Sequence, residues 1–292
     1  MTSVQMTIGN RLKKIRREKK MTQKELSNGI CSQAEISKVE NGKNSPTIEL
    51  LQQIAKKLRI PVSFFFVDVD QMKKFQRIDF EMTQLMRAQE HTKILELVQN
   101  YLEEELSQEI QILLAYYRLV NEVELQKIDF RTCISQLLQL IKGQEVIQEY
   151  FLIYVRIQMA IAVQYTNNTE YTHANTIYEE VLKLDYVTDE YKKLRFKVVY
   201  NYIRNLIKLK RFSSVIEKTN EVIKESNDLR DTSYLGHFFY QKAYALEQTE
   251  ASIEKIKEAY TQAYAIFIVT ENEAYKKILE EYLLESLYFT LK

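Results

Sequence analysis

The sequence predicts an all-α protein in two parts: a five-helix head over residues 1–66 and a superhelix of paired helices over residues 72–292, with 67–71 as a short linker. Three observations carry this. Both prolines, Pro46 and Pro61, fall in the head, while the other 226 residues hold no proline and only two glycines, Gly143 and Gly236. Nothing in that long stretch punctuates a helical pattern. Residues 22–43, TQKELSNGICSQAEISKVENGK, contain two helix starts in quick succession. Beyond residue 72, apolar periodicity of helical type runs in segments of about 15 residues that pair at a spacing near 40.

The head reads element by element. Helix one runs from about Thr7 to Lys19, with Ile8, Leu12 and Ile15 inward at spacings of four and three. Thr22 with Glu25 is a capping box that starts helix two, and Ser32 with Glu35 repeats the device for helix three. Gly29 to Cys31 is the turn between them. Leu26, Ile30, Ile36 and Val39 share the inner face. The outer face of helix three carries Gln33, Ala34, Ser37 and Lys38, small or amide-bearing side chains that suit base edges in a major groove. Asn41-Gly42 ends that helix with a residue that tolerates the left-handed cap. Ser45 as N-cap and Pro46 at the first helical position start helix four, which buries Leu50, Leu51, Ile54, Ala55 and Leu58. Pro61 starts a short fifth helix through Phe66. Phe64, Phe65 and Phe66 do not all fit one small core, so either one of them seats against another domain or subunit, or the three form a local aromatic lid.

The spacing, caps and apolar positions of TQKEL…SQAEISKVENGK resemble the helix-turn-helix of the Xre/Cro-type phage-repressor family. Within that frame Gln33, Ala34 and Lys38 are the expected base-edge contacts, and Gln23, Ser32, Asn41 and Lys43 the expected phosphate contacts.

The body is expected to hold helices near 72–88, 91–105, 109–123, 130–142, 146–166, 170–184, 190–209, 212–226, 232–248, 252–269 and 272–290. Tyr171, Ala174, Tyr178 and Val181 fit the second-helix pattern of a tetratricopeptide repeat, and Phe212, Val215 and Thr219 fit it more loosely. Such hairpins cannot bury their apolar faces alone. They stack into a superhelix whose first helices line the concave side. The chain's 20 tyrosines suit a groove, each offering an apolar body with a hydroxyl at the edge.

Charge divides at the same boundary. The head holds 13 Lys and Arg against 5 Asp and Glu, a balance of +8, and the remainder 28 against 35, a balance of −7. A basic head on an acidic body points to nucleic acid as the partner of the head alone. The run Arg11–Lys20 reads either as a solvated helix face or, beside the helix-turn-helix, as phosphate-facing. No stretch of 18 apolar residues suggests a membrane span, and MTSVQMTIGNRLKK does not read as a secretory signal. Cys31 and Cys133 stand alone and read as reduced thiols, so a cytoplasmic protein is expected. The sequence has no Gly-rich phosphate loop, no H-E-x-x-H and no G-x-S-x-G, and its histidines, His91, His173 and His237, are scattered. No enzymatic activity, metal or cofactor is expected.

Three stretches, IRREKKMTQKELSNGICSQAEISKVENG, LQQIAKKLRIPVSFFF and FKVVYNYIRNLIKLKRF, make nearly the whole chain similar to the cytoplasmic pheromone-peptide receptors of Gram-positive bacteria, of the PlcR type. That resemblance implies a homodimeric transcription factor on double-stranded DNA, with a palindromic operator, that holds a short signalling peptide in the repeat groove. It also implies that Asn201, within VVYNY, grips the peptide main chain, since one carboxamide both donates and accepts. Lys197, Arg204 and Lys208 follow on the same side. Counting back from Phe212, the repeat's second-helix aromatic, puts these residues on the groove side, and the same count gives Arg156, Met159, Val163 and Asn167 in the preceding repeat, and His237 and Gln241 in the next. Met159 and His237 depart from the family's pattern, which has asparagine and glutamine there. Each polar position also reads as a solvated helix face. Two other functions fit the organisation: a DNA-binding repressor whose body is a protein-docking scaffold without a peptide, or a repeat protein acting on response regulators with a vestigial head.

Overall fold

The structure, a computed structural model, describes residues 3–66 and 69–290. Among these every regular element is helical. The chain forms two compact units, Met1–Glu90 with Glu104–Ile110, and His91–Glu103 with Gln111–Lys292.

In the first unit α1 (Ser3–Glu18), α2 (Gln23–Ser27), α3 (Gln33–Glu40) and α4 (Ile48–Leu58) lead to a 3₁₀ turn at Val62–Phe65 and a long α5 (Val69–Arg87). The core is the one the periodicity selects. Leu12, Leu26, Ile36, Val39, Ile54 and Leu58 are buried in one cluster, with Ile8, Ile15, Ile30 and Leu50 at its margin. Thr22 forms the complete capping box: its Oγ1 accepts from the Glu25 N–H at 3.1 Å, and the Glu25 carboxylate accepts from the Thr22 N–H at 2.7 Å. At α3 only half of the device is built, with Ser32 Oγ accepting from the Glu35 N–H at 3.2 Å. Gly42, at φ +67, ends α3 as expected. Gly9 lets α1 close on α3: a Cβ there would meet the Val39 carbonyl oxygen at 2.2 Å.

Two local expectations change. α4 is capped by Thr47, whose Oγ1 accepts from the Leu50 N–H at 3.2 Å, and not by Ser45. Both residues are competent caps, and local sequence does not choose between them. The fifth helix shrinks to the single turn Val62–Phe65. Phe65 is fully buried in the head core while Phe66 is 52 % exposed, so the central phenylalanine closes the head on itself. Of the segment expected as a linker, residues 67–68 lie outside the described residues, and the chain is helical from Val69.

The second unit runs through α6 (His91–Tyr101), α7 (Gln108–Glu124), α8 (Phe130–Leu140), α9 (Gln144–Glu149), α10 (Phe151–Asn167), α11 (Tyr171–Leu182), α12 (Asp189–Lys208), α13 (Phe212–Asp228), α14 (Leu235–Gln248), α15 (Ile253–Val269) and α16 (Glu273–Tyr282). From α10 to α16 each helix packs on the next, and α12 also packs on both α10 and α14. These first helices of successive hairpins therefore make an inner layer. Ala174, Tyr178 and Val181 are buried against α10, as the repeat pattern requires. Leu182 and Tyr202 touch both this cluster and the next, which centres on Phe196, Ile203, Val215 and Phe238, so the core is continuous from repeat to repeat. The tight turns inside the hairpins carry the period. Gln126, Thr169, Lys210 and Glu250 all have φ between +53° and +62°, at intervals of 43, 41 and 40 residues. No glycine marks these turns, which is why the sequence hides them.

Two expected helices are broken. The one over 146–166 divides at Tyr150, where φ −129° and ψ 48° leave the helical region. Phe151 there packs on Tyr186 and Tyr191, with ring centroids 5.5 and 4.5 Å away, contacts that no local pattern announces. The one over 272–290 stops at Tyr282. The chain then folds back, burying Leu287, and the Tyr288 N–H donates to Thr261 Oγ1 at 3.0 Å.

Candidate functional site

Each unit presents one candidate site. In the first unit it is the outer face of α3. Gln33, Ala34 and Lys38 are exposed and Ser37 is half-buried, while Ile36, Val39 and Glu40 of the same helix are buried. Ser32, Asn41 and Lys43 are exposed at its two ends. Asn41 Nδ2 is engaged with the Ser37 carbonyl at 2.8 Å, so its Oδ1 is the group available to a partner.

A buried ionic network that the sequence reading missed holds this face in place, and it takes Arg16 out of the run expected to face solvent or phosphate. Arg16 of α1 clamps Glu40 with Nε and Nη2 at 2.6 and 2.9 Å, and its Nη1 donates to the Met21 carbonyl at 2.6 Å. Glu40 is 2 % exposed. Burial pushes its carboxyl up, but hydrogen bonds from Arg16 and Gln23 and the Arg16 charge outweigh that and hold its pKa below the ordinary value. Gln23 Nε2 donates to Glu40 at 2.8 Å, and Gln33 Nε2 donates to Gln23 Oε1 at 2.8 Å. The buried pair thus orients two of the expected DNA contacts, and the Gln33 carbonyl is left as an acceptor on the exposed face. Only the alternation of Arg and Glu at apolar-face positions of α1 and α3 could have signalled it.

In the second unit a cavity of about 320 Å³ opens between α10, α12, α14 and α16. Of the expected ligand contacts, Val163, Asn201, Arg204, Lys208, His237 and Gln241 line it. Asn167, also on that count, does so too. Arg156, Met159 and Lys197 do not. Met159 is 5 % exposed and packs in the repeat core with Val155, Ala162 and Tyr178, because its register turns it toward α11. Arg156 donates to the Tyr117 hydroxyl at 3.4 Å and lies over the Tyr116 ring, which draws it toward α7. Lys197 sits one turn before Asn201, exposed and outside the lining.

The tyrosines Tyr178, Tyr200, Tyr240, Tyr244 and Tyr275 form the cavity wall. On α14 the liners His237, Tyr240, Gln241 and Tyr244 follow helical spacing, so extending that pattern from His237 would have found two of them. Tyr275 comes from α16, which no repeat pattern placed near the groove. Its hydroxyl lies 3.3 Å from that of Tyr200. Burial and this pairing push the Tyr200 hydroxyl pKa up, so it stays neutral. His237 is ringed by Tyr200, Tyr234, Phe267 and Tyr275 at 4.7–5.9 Å, and burial pushes its pKa down. Asn201 is half-buried, and its Nδ2 donates to the Lys197 carbonyl at 2.9 Å. Gln241 is 5 % exposed; its Nε2 donates weakly to the Tyr200 carbonyl at 3.4 Å, and its Oε1 is buried with no donor among the described residues. An unmet buried acceptor costs about 1–3 kcal/mol, which a ligand N–H would relieve.

Among the described residues no group of His, Cys, Asp and Glu could hold a metal ion, and no helix is long and apolar enough to cross a membrane.

Comparison with known proteins follows the same division. A helix-turn-helix family profile matches residues 12–65, and the profile of the RNPP family C-terminal domain matches residues 79–286. No curated protein sequence matches the chain. Among solved structures, Bacillus thuringiensis PlcR in complex with the peptide PapR7 and DNA is 29 % identical over 94 % of this chain and 99 % of that one, with a TM-score of 0.77. The apo form of PlcR gives 26 % identity over 95 % and 99 %, with a TM-score of 0.64. ComR from Streptococcus thermophilus, in complex with DNA and its signalling peptide ComS, shares the fold: 15 % identity over 96 % and 99 %, TM-score 0.56.

Proposed function

This chain belongs to the RNPP family, and from that premise we propose that it is a DNA-binding transcription regulator switched by a short signalling peptide held in the pocket between α10, α12, α14 and α16. The observation that carries the proposal is the pairing in one chain of an exposed recognition helix on a +8 head with a tyrosine-walled pocket on a separate repeat unit. Residues 1–66 act as the DNA-binding domain and residues 72–292 as the regulatory and dimerisation domain. Gln33, Ala34 and Lys38 read bases, while Gln23, Ser32, Asn41 and Lys43 hold phosphates. One recognition helix covers only a few base pairs, so two copies on a palindromic operator supply the specificity. The protein works in the cytoplasm, where both DNA and an imported peptide are met. The buried, donor-less Gln241 carbonyl favours a peptide over a flat protein partner, because an extended main chain supplies N–H groups to a narrow pocket.

Asn201 grips that main chain. Removing its carboxamide in Asn201→Ala leaves peptide polar groups unmet at about 1–3 kcal/mol, roughly ten- to a hundredfold in affinity. The test is to identify the peptide that co-purifies, then titrate it calorimetrically into wild type and Asn201→Ala while following operator binding. Affinity should fall in the variant and the DNA response to peptide should fade. Equal affinities would place the peptide elsewhere.

A further inference from the structure

The pocket's charge is one-sided. Arg204 and Lys208 lie four residues apart on α12 and so share a face, both exposed, and no Asp or Glu lines the cavity among the described residues. Earlier on the same helix, cations are matched. Lys192 pairs with Asp189 at 3.3 Å, Lys193 with Asp231 at 3.7 Å, and Arg195 with both Glu221 and Glu225. Neither Arg204 nor Lys208 has a carboxylate partner among the described residues, although the body as a whole carries −7. Arg204 is held over the ring of Tyr200, with Cζ 5.6 Å from the centroid, which stations the guanidinium beside the cavity. A pair of unmatched cations at a pocket in an acidic domain is a local anion site, because the general field would repel an anion that made no such contact.

Resting on the peptide reading above, we propose that the pocket selects its peptide by a carboxylate, which Arg204 and Lys208 bind while a peptide N–H donates to the buried Oε1 of Gln241. Two sources share this chemistry, the C-terminal carboxylate and an Asp or Glu side chain. The neighbouring walls, Tyr200, Tyr240 and Tyr275, take an apolar or aromatic side chain next to the anion. Bidentate guanidinium binding gives Arg204 the orienting role, and Lys208 adds a point charge.

The test uses the immobilised full-length protein and two equimolar synthetic pools of random heptapeptides, one with free C-terminal carboxylates and one amidated, with retained peptides read by mass spectrometry. A C-terminal anion predicts retention from the free-acid pool alone. A side-chain anion predicts Asp and Glu enrichment in both pools. In R204E/K208E the affinity of the retained peptides should fall about ten- to a hundredfold and the enrichment should move to Lys and Arg. In Gln241→Leu affinity should fall with the acid preference kept. Both cations are exposed, so R204E/K208E should keep its circular dichroism; should it not, loss of wild-type affinity on raising salt, seen for an acidic peptide and not for its amide counterpart, supports the proposal in its place. Peptides retained without acid preference, or an acid preference that persists in the folded double variant, overturn the carboxylate reading and leave peptide binding standing. A wild-type column that retains nothing overturns both.

Discussion

Replacing Glu40 by Ala tests whether the ionic pair beneath the recognition helix organises the DNA-binding face. The Glu40 carboxylate accepts three hydrogen bonds, two from Arg16 and one from Gln23, at 2.6–2.9 Å. The Arg16 side chain is itself about 90 % buried, at 10 % exposure, and keeps only its bond to the Met21 carbonyl once Glu40 is gone. Removing one partner of such a pair strands a buried charge, at about 3–5 kcal/mol. Hydrogen exchange of the full-length protein reads this directly. Peptides from α1 to α3 should exchange about a hundred- to several-thousandfold faster in Glu40→Ala, with peptides from α12 to α14 unchanged as internal control. Operator affinity should fall as well, because Gln23 loses its anchor and Gln33 the acceptor that Gln23 holds in place. The pH dependence follows from the same pair. The folded pKa of Glu40 is held below its ordinary 4.5, so its contribution is complete above that value and is lost as pH falls through the folded pKa. A change in α1–α3 exchange worth less than about 1 kcal/mol would refute the reasoning, since it would mean that Arg16 finds water when its partner is removed.

Three other outcomes are expected. Lys38→Ala should lose about 1–3 kcal/mol on the true operator and relax its sequence preference, whereas Lys43→Ala should weaken all sequences alike and lower the salt slope by about one; identical behaviour in binding titrations across salt would reverse the assigned orientation of α3. His237 is held neutral by burial, so its contribution to stability is complete above its ordinary value of 6.5 and lost as pH falls through its lowered folded pKa. Thermal melts from pH 7.5 to 5.5 should fall more in wild type than in His237→Phe, and parallel falls would rule this out. Thr169 sits at φ +62°, a region costly to a β-branched residue, so Thr169→Gly should raise stability by about 0.5–1 kcal/mol in urea unfolding; a loss would show that the turn is not strained.

Much of the molecule was legible without coordinates because it rests on short-range rules. The Thr22 and Ser32 caps, Gly42 at the end of α3, and the inward faces of α1 to α4 follow from hydrogen-bond needs within one turn and from a period of 3.6. The scarcity of proline and glycine after residue 66 announced a helical body, and the charge split marked the boundary between a basic head and an acidic body. Resemblance in VVYNY put Asn201 beside the pocket, where the structure also has it. The misses have other origins. Two competent caps stand close together at Ser45 and Thr47, and why the chain breaks at Tyr150 and folds back after Tyr282 depends on partners far along the chain.

What the sequence by itself determined, then, is which faces must be buried and where helices start. What only the tertiary structure decided is which side chains meet across hairpins. Met159 and Val163 lie one turn apart on α10, yet one is in the core and the other on the pocket wall. Tyr275 joins the pocket from α16, and Arg16 finds Glu40 across 24 residues. Period alone marks a face to within about 100° per residue, too coarse to separate a core position from a groove position beside it. Packing between helices sets that division: α11 covers Met159 with Tyr178, while Val163 is left on the wall shared with α12 and α14.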